Sequence, residues 1–125
     1  MARILVIDDE QAFRQMVRQM LEHAGYEVLE ATDGKDGLKV YQAEQPDLVL
    51  TDLIMPEQEG IETIIGLRKQ NPDARIIAMS GGGRITATDF LGIARKFGAR
   101  HVLAKPFRRD QLLEAIRESL SETAA

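Results

Sequence analysis

Short apolar runs recur along the chain, and segments of a different periodicity separate them. The runs cover residues 4–7, 26–31, 48–50, 75–79 and 101–104. They are rich in Val, Ile and Leu, and most of them are continuous rather than alternating, which is typical of strands that are covered on both faces. The pattern therefore predicts five buried strands.

The segments between the runs follow the helical period. In the first segment the apolar positions recur at spacings of three and four, which predicts one buried stripe and leaves Arg14, Gln15 and Arg18 on the outer side. Gly25 and Gly98 lie just past the first and fourth predicted helices, where a left-handed residue is favoured. The pattern also predicts weaker helices over 34–44 and 60–70. The three clear apolar stripes are Phe13, Met16, Val17, Met20, Leu21 and Ala24; Phe90, Ile93, Ala94 and Phe97; and Leu112, Leu113, Ile116 and Leu120.

A strand followed by a helix, five times over, predicts an α/β fold with parallel strands and helices on both faces of the sheet. At 125 residues the chain fits one domain. We expect this domain to cover 1–121, with a frayed tail at 122–125 and no output domain in this chain.

The composition of the chain excludes several classes of function. The chain has no cysteine, which excludes disulfides, thiolate zinc sites and cysteine nucleophiles. The longest apolar runs are far shorter than the roughly 20 residues of a membrane helix, so we expect a cytoplasmic protein with no membrane partner. The formal net charge of −4 argues against direct binding to nucleic acid.

Polar side chains follow the predicted strands at the points where the strands end. The first strand delivers Asp8 and Asp9, the third Asp52, the fourth Ser80 and the fifth Lys105. Because the carboxyl ends of parallel strands meet at one edge, these side chains are expected to converge there. Taken singly, each has an ordinary structural interpretation, such as a turn residue or a solvated lysine, so the prediction depends on the whole set.

Three carboxylates at one edge repel each other unless a cation joins them. Magnesium prefers oxygen ligands and usually takes one or two protein carboxylates together with phosphate oxygens. Lys105 would then supply positive charge to a phosphoryl oxygen and Ser80 a hydrogen bond. Aspartate acts as the nucleophile in aspartyl-phosphate chemistry, and Asp52 is the choice here because the Asp8–Asp9 pair is the better metal anchor.

The stretches "ILVIDDE", "LTDLIMPEQEG", "IIAMS" and "LAKPF" together resemble the receiver domain of two-component response regulators. The resemblance covers nearly the whole chain and is closest to stand-alone, chemotaxis-regulator-like receivers. It implies a flavodoxin-like (βα)5 fold, a doubly wound parallel five-stranded sheet in the order 2-1-3-4-5.

The resemblance also implies roles for individual residues. Asp52 corresponds to the phosphoacceptor and also faces the metal, which is Mg²⁺, with Mn²⁺ possible. Asp9 corresponds to a direct metal ligand, Asp8 to one that acts partly through water, and the backbone carbonyl of Ile54 to a third protein ligand. Ser80 and Lys105 correspond to the hydroxyl and the ammonium that contact the phosphoryl group.

Further positions match the pattern of the family or depart from it. Pro56 and Gly60 match the turn after the acceptor, and the Lys105-Pro106 bond resembles one that is cis in the family. Val102 stands where receivers commonly carry Tyr or Phe, so this chain departs from the family at the usual aromatic switch.

A signalling role follows from the resemblance. A histidine kinase or phosphotransfer protein would phosphorylate Asp52, and the face made by the fourth helix, fifth strand and fifth helix would then bind a downstream target protein. The chain would be a phosphoacceptor that assists its own phosphorylation and dephosphorylation rather than an enzyme, and a monomer that phosphorylation can turn into a dimer.

Two alternatives stay open. One is a phosphorylation-independent protein-binding module on a receiver fold. The other is a phosphohydrolase with an aspartate nucleophile; that class carries a second aspartate two residues on, where this chain has Ile54.

Overall fold

The computed structural model describes residues 2–52, 59–80, 96, 99 and 101–121. Gly98, the three glycines at 81–83 and the predicted tail at 122–125 lie outside the described residues, as does the predicted fourth helix apart from Lys96. The elements in chain order are β1 (Arg3–Ile7), α1 (Gln11–His23), β2 (Glu27–Ala31), α2 (Gly34–Glu44), β3 (Leu48–Asp52), α3 (Glu59–Gln70), β4 (Ile76–Ser80), β5 (His101–Ala104) and a C-terminal helix (Arg109–Ser121).

The five strands form one sheet in the order β2-β1-β3-β4-β5. Every neighbouring pair is parallel, and the register aligns Ile7 of β1 with Thr51 of β3, and Thr51 in turn with Ala78 of β4. The predicted fold and strand order are thus confirmed. Because β1 and β3 are neighbours, the residues that follow or end them lie side by side at the same edge.

Two separate hydrophobic cores cover the two faces of the sheet. On one face Leu5 and Ile7 pack with residues of α2 and α3, including Tyr41, Ile64 and Leu67. On the other face the alternate residues of β1 pack with α1 and the C-terminal helix, a group that contains Ile4, Val6, Val17, Leu21, Leu112 and Ile116. Successive strand residues point to opposite faces, so a strand covered on both sides needs an apolar residue at every position.

The predicted helix end at Gly25 and the predicted range 34–44 are confirmed, and α3 begins one residue before the predicted 60–70. Gly25 follows α1 with a φ of +96°, the left-handed conformation that favours glycine. Asp33 caps the start of α2, since its side chain accepts a hydrogen bond of 2.7 Å from the backbone N–H of Asp36. α3 ends at Gln70, directly before Asn71-Pro72.

The inward face of α1 differs from the predicted stripe. Its buried residues are Arg14, Val17 and Leu21, which share a face because they lie at positions i, i+3 and i+7. Met16 is 42% exposed. The predictions that Met16 belongs to the buried stripe and that Arg14 lies on the outer side are therefore wrong.

α2 approaches the sheet closely at Gly37. A Cβ atom at this position would lie 2.4 Å from Cδ1 and 2.9 Å from Cγ1 of the buried Ile7, so any larger residue would force the Ile7 side chain or α2 to shift. Ile7 directly precedes Asp8, and the packing of α2 therefore bears on the strand end that carries the acidic pair. In the part of the chain that the structure describes, no helix combines the length and the apolar character that crossing a membrane would require.

Candidate functional site

The carboxyl edge of the sheet brings Asp8, Asp9 and Asp52 together. One carboxylate oxygen from each of the three lies within 4.8 Å of the others. Asp8 is fully buried and Asp52 is 5% exposed, whereas Asp9 is exposed to solvent. The cluster therefore has two buried carboxylates at its base and a third, that of Asp9, at a solvent-exposed mouth.

Lys105 supplies a positive charge to the two buried carboxylates. Its Nζ donates hydrogen bonds of 2.8 Å to Asp8 Oδ2 and 3.0 Å to Asp52 Oδ2, and its side chain is 17% exposed. Burial of the ammonium group lowers the pKa of Lys105, but the hydrogen bonds and charges of both carboxylates outweigh that effect and raise the pKa above its ordinary value. The lysine is therefore a fixed cation at neutral pH.

An aromatic pair lies beneath the lysine. Lys105 Nζ lies 3.9 Å from the centroid of the Phe13 ring, a cation–π contact. Phe13 packs edge-on against Phe107, with centroids 5.8 Å apart and an interplanar angle of 81°. The sequence assigned Phe13 only to the apolar stripe of α1; its position in the first turn of α1, four residues after Asp9, is the signal that places it near the acidic pair.

Three hydrogen bonds hold Asp8 besides the one from Lys105, two through its main chain and one through its carboxylate. Its N–H donates to Ala31 O over 3.2 Å, its Oδ1 accepts from the Glu10 N–H at 2.9 Å, and its carbonyl accepts from Arg14 Nη1 at 2.7 Å. Since Lys105 occupies Oδ2, both carboxylate oxygens of Asp8 have partners. Arg14, which the sequence predicts on the outer side of α1, thus contacts the site from inside.

The donor set fits a divalent cation. The ligands are hard carboxylate oxygens, which Mg²⁺ and Mn²⁺ accept. Three carboxylates and one ammonium leave the cluster with an excess of negative charge that one divalent cation would balance. Asp9, at the solvent-exposed mouth, offers the carboxylate that is most accessible to an entering ion.

Some of the predicted site residues are only partly described. Ile54 and Pro56 lie outside the described residues. Ser80 is the last residue of β4 and pairs with Ala104 of β5 through the backbone, but its side chain is outside the described part. Gly60 lies in the first turn of α3.

The structure does describe the positions around Lys105. Val102 is half-buried in β5 and packs against the core formed with α2 and α3. The Lys105-Pro106 bond is cis, as the resemblance implied.

Comparison with known proteins agrees with this geometry. The family described as the response regulator receiver domain matches residues 4–117. The chemotaxis protein CheY of Thermotoga maritima is 36% identical over 115 residues, which cover 91% of this chain and 93% of that protein. Sporulation initiation phosphotransferase F of Bacillus subtilis is 30% identical over 118 residues, with 94% and 93% covered.

A solved structure gives the same result for the fold. The response regulator receiver domain protein from Clostridium thermocellum superposes with a TM-score of 0.87 at 34% identity, covering 96% of this chain and 94% of that one. The chain belongs to the response regulator receiver domain family. It is a receiver of the two-component type, similar to the chemotaxis protein CheY.

Proposed function

We propose that the protein is a switch in which Asp52 accepts a phosphoryl group from a histidine kinase or a phosphotransfer protein in a Mg²⁺-dependent reaction. One observation carries the proposal: the Lys105 ammonium joins the buried Asp8 and Asp52 carboxylates beside the exposed Asp9. A nucleophilic carboxylate, a fixed cation and oxygen ligands for a metal are the parts that phosphoryl transfer to aspartate needs.

In the proposed reaction a carboxylate oxygen of Asp52 attacks the phosphorus atom of a phosphohistidine. The new O–P bond forms as the N–P bond of the donor breaks, and the leaving imidazole nitrogen takes the electron pair of that bond. Lys105 already lies 3.0 Å from Asp52 Oδ2 and can turn one of its three N–H donors toward a phosphoryl oxygen. The lysine would thus exchange a carboxylate partner for a phosphoryl partner.

The metal would be held by Asp9, Asp8 and Asp52, with the backbone carbonyl of Ile54 as a further ligand. When bound, Mg²⁺ or Mn²⁺ neutralises charge on the transferring phosphoryl group. The residues of the chain hold the nucleophile: the parallel ladder of β3 fixes the backbone of Asp52, and the bond from Lys105 orients its side chain.

Phosphorylation adds negative charge and acceptor oxygens at a packed edge of the sheet. Lys105 and Ser80 would respond, and the change would reach the surface formed by the predicted fourth helix, β5 and the C-terminal helix, where a downstream target protein or a second copy binds. Val102 lies on β5 at the position of the usual aromatic switch, so the response here would not use an aromatic side chain. The switch would work in the cytoplasm and would not be an enzyme with a separate substrate.

The test is the intact mass of the protein after incubation with Mg²⁺ and acetyl phosphate. We expect one added phosphoryl group in the parent and in Asp73→Asn, an exposed aspartate before β4, and none in Asp52→Asn or without Mg²⁺. If Mg²⁺ binds but neither acetyl phosphate nor a histidine kinase modifies the parent, the proposal fails, and the chain is a phosphorylation-independent binding module. Catalytic release of inorganic phosphate from small phosphoesters would instead indicate a phosphohydrolase.

A further inference from the structure

Arg14 is a cation in the interior of the protein, and one of its partners is a main-chain carbonyl. The residue is 8% exposed. Its Nη1 donates a buried hydrogen bond of 2.7 Å to the carbonyl of Asp8, and its Nε donates one of 3.2 Å to Glu30 Oε1 on β2. Burying a guanidinium is costly unless hydrogen bonds and an opposite charge compensate, so this arrangement needs both contacts.

The bond to Asp8 falls on the short linker that carries the acidic pair. Only residues 8–10 separate the end of β1 from the start of α1, and Asp8 and Asp9 are two of the three. The carbonyl of Asp8 belongs to the peptide group that joins it to Asp9. Fixing that carbonyl therefore fixes the orientation of the peptide plane, and with it the position of the Asp9 Cα atom that carries the side chain.

A chain of charges holds Arg14 itself in place. Glu30 accepts from Arg14 with one carboxylate oxygen and from Arg18 Nη1 with the other, at 2.7 Å. Arg18 also pairs with Glu22 one turn further along α1, at 3.3 Å. The hydrogen bonds that Arg18 donates to Glu30 and then to Glu22 raise the pKa of Arg18 above its ordinary value, against a smaller lowering by burial. The guanidinium of Arg14 is thus held between Glu30 of β2 and the Asp8 carbonyl of the linker.

We propose that Arg14 is a positioning residue for the divalent-cation site: it sets the affinity for Mg²⁺ by holding the Asp8–Asp9 peptide, although it is not itself a ligand. The inference rests on the proposed function, because it concerns the metal that this function requires. Partners that orient metal ligands typically change affinity by about 10- to 100-fold when they are removed.

The charge of Arg14 and its positioning role predict opposite changes in Mg²⁺ affinity when the residue is removed. Arg14 carries a positive charge close to the carboxylates, so its removal would reduce repulsion of Mg²⁺ and tighten binding. If Arg14 acts by positioning, its removal frees the peptide between Asp8 and Asp9 and weakens binding. The direction of the change in the dissociation constant therefore separates the two effects.

The experiment measures Mg²⁺ binding by isothermal titration calorimetry in the parent, Arg14→Met, Arg14→Lys and a control, Arg3→Met. Arg3 is a matched control because its Nη1 also donates a 2.7 Å bond to a main-chain carbonyl, that of Glu44, at the opposite end of β1. Hydrogen exchange of the Glu10 amide, which donates to Asp8 Oδ1, gives a second readout in metal-free protein.

We expect Arg14→Met to raise the dissociation constant about tenfold and to speed exchange of the Glu10 amide. Arg14→Lys, which keeps the charge but lacks the planar fork that reaches both acceptors, should fall between Arg14→Met and the parent. Arg3→Met should leave both readouts unchanged, even if its melting temperature drops.

Binding by Arg14→Met that equals or exceeds that of the parent overturns the inference and leaves the proposed function intact. If Arg14→Met does not fold, Arg14→Lys decides: a dissociation constant equal to that of the parent overturns the inference. A parent that binds no Mg²⁺ overturns both this inference and the proposed function.

Discussion

Replacing Lys105 with methionine tests whether its ammonium stabilises the carboxylate cluster in metal-free protein. Methionine keeps a long apolar stem that can still lie over Phe13 but removes the charge. The change breaks two hydrogen bonds, of 2.8 Å to Asp8 and 3.0 Å to Asp52. Two buried carboxylates then face each other without the cation that joins them.

The expected loss of stability follows from the burial of the pair. Removing one partner of a buried ion pair costs about 3–5 kcal/mol, and the exposed mouth at Asp9 argues for the lower end, about 3 kcal/mol. With an unfolding entropy of about 2.1 cal/mol/K per residue over 125 residues, such a loss lowers the melting temperature by about 11 °C.

Magnesium should reverse much of this loss. A ligand that binds only the folded state stabilises it by about 2.7 kcal/mol at 100 times its dissociation constant. The variant has no ammonium repelling the incoming ion, so it should bind Mg²⁺ more tightly than the parent does. Its melting temperature should therefore rise further with Mg²⁺ than that of the parent, and the two values should converge at high Mg²⁺.

The assay is thermal unfolding followed by circular dichroism at pH 8, first in EDTA and then over a series of Mg²⁺ concentrations. Lys69→Met, in the exposed last turn of α3, is the control for loss of a lysine charge. A loss below about 1 kcal/mol in EDTA, within the range of a surface ion pair, would refute the assigned role of Lys105. So would a response to Mg²⁺ no larger than that of the parent.

Two further predictions concern the packing that supports the site, and equilibrium unfolding in urea checks both. Gly37→Ala should destabilise the protein by about 1–3 kcal/mol, because the new Cβ would lie 2.4 Å from Ile7 Cδ1; Gly66→Ala, which meets the flexible end of Leu38, should cost less. A gain of about 1 kcal/mol, as for an ordinary helical glycine, would contradict the close packing of α2. Asp33→Ala should cost about 1 kcal/mol through loss of the cap on the Asp36 N–H, and an unchanged midpoint would show that the cap is dispensable.

Much of the fold follows from the sequence because the sheet is covered on both faces. Such strands must be apolar at every position, so continuous runs mark β1, β3 and β4 directly. Parallel strands also bring their carboxyl ends to one edge, which is why Asp8, Asp9, Asp52 and Lys105 were expected together. The strand order, in contrast, came from the family resemblance, since periodicity carries no information on which strands are neighbours.

The errors of the sequence analysis lie on α1 and have a common cause. An apolar stripe predicts the inward face of a helix only where the buried residues are apolar, and Arg14 is a buried cation. Arg14 is inside because Glu30 and the Asp8 carbonyl compensate its charge, and neither partner can be inferred from helical periodicity. The face centred on Arg14, Val17 and Leu21 then leaves Met16 exposed.

β3 is paired along both edges and buried at all five of its positions, from Leu48 to Asp52. Its amide protons should therefore exchange only when the whole domain unfolds. Because Asp52 is the last residue of this strand, its backbone cannot shift to accommodate the charge of an added phosphoryl group. Any conformational change on phosphorylation would therefore occur in side chains and loops that approach Asp52 from other strands. β3 would stay in place while those segments move relative to it.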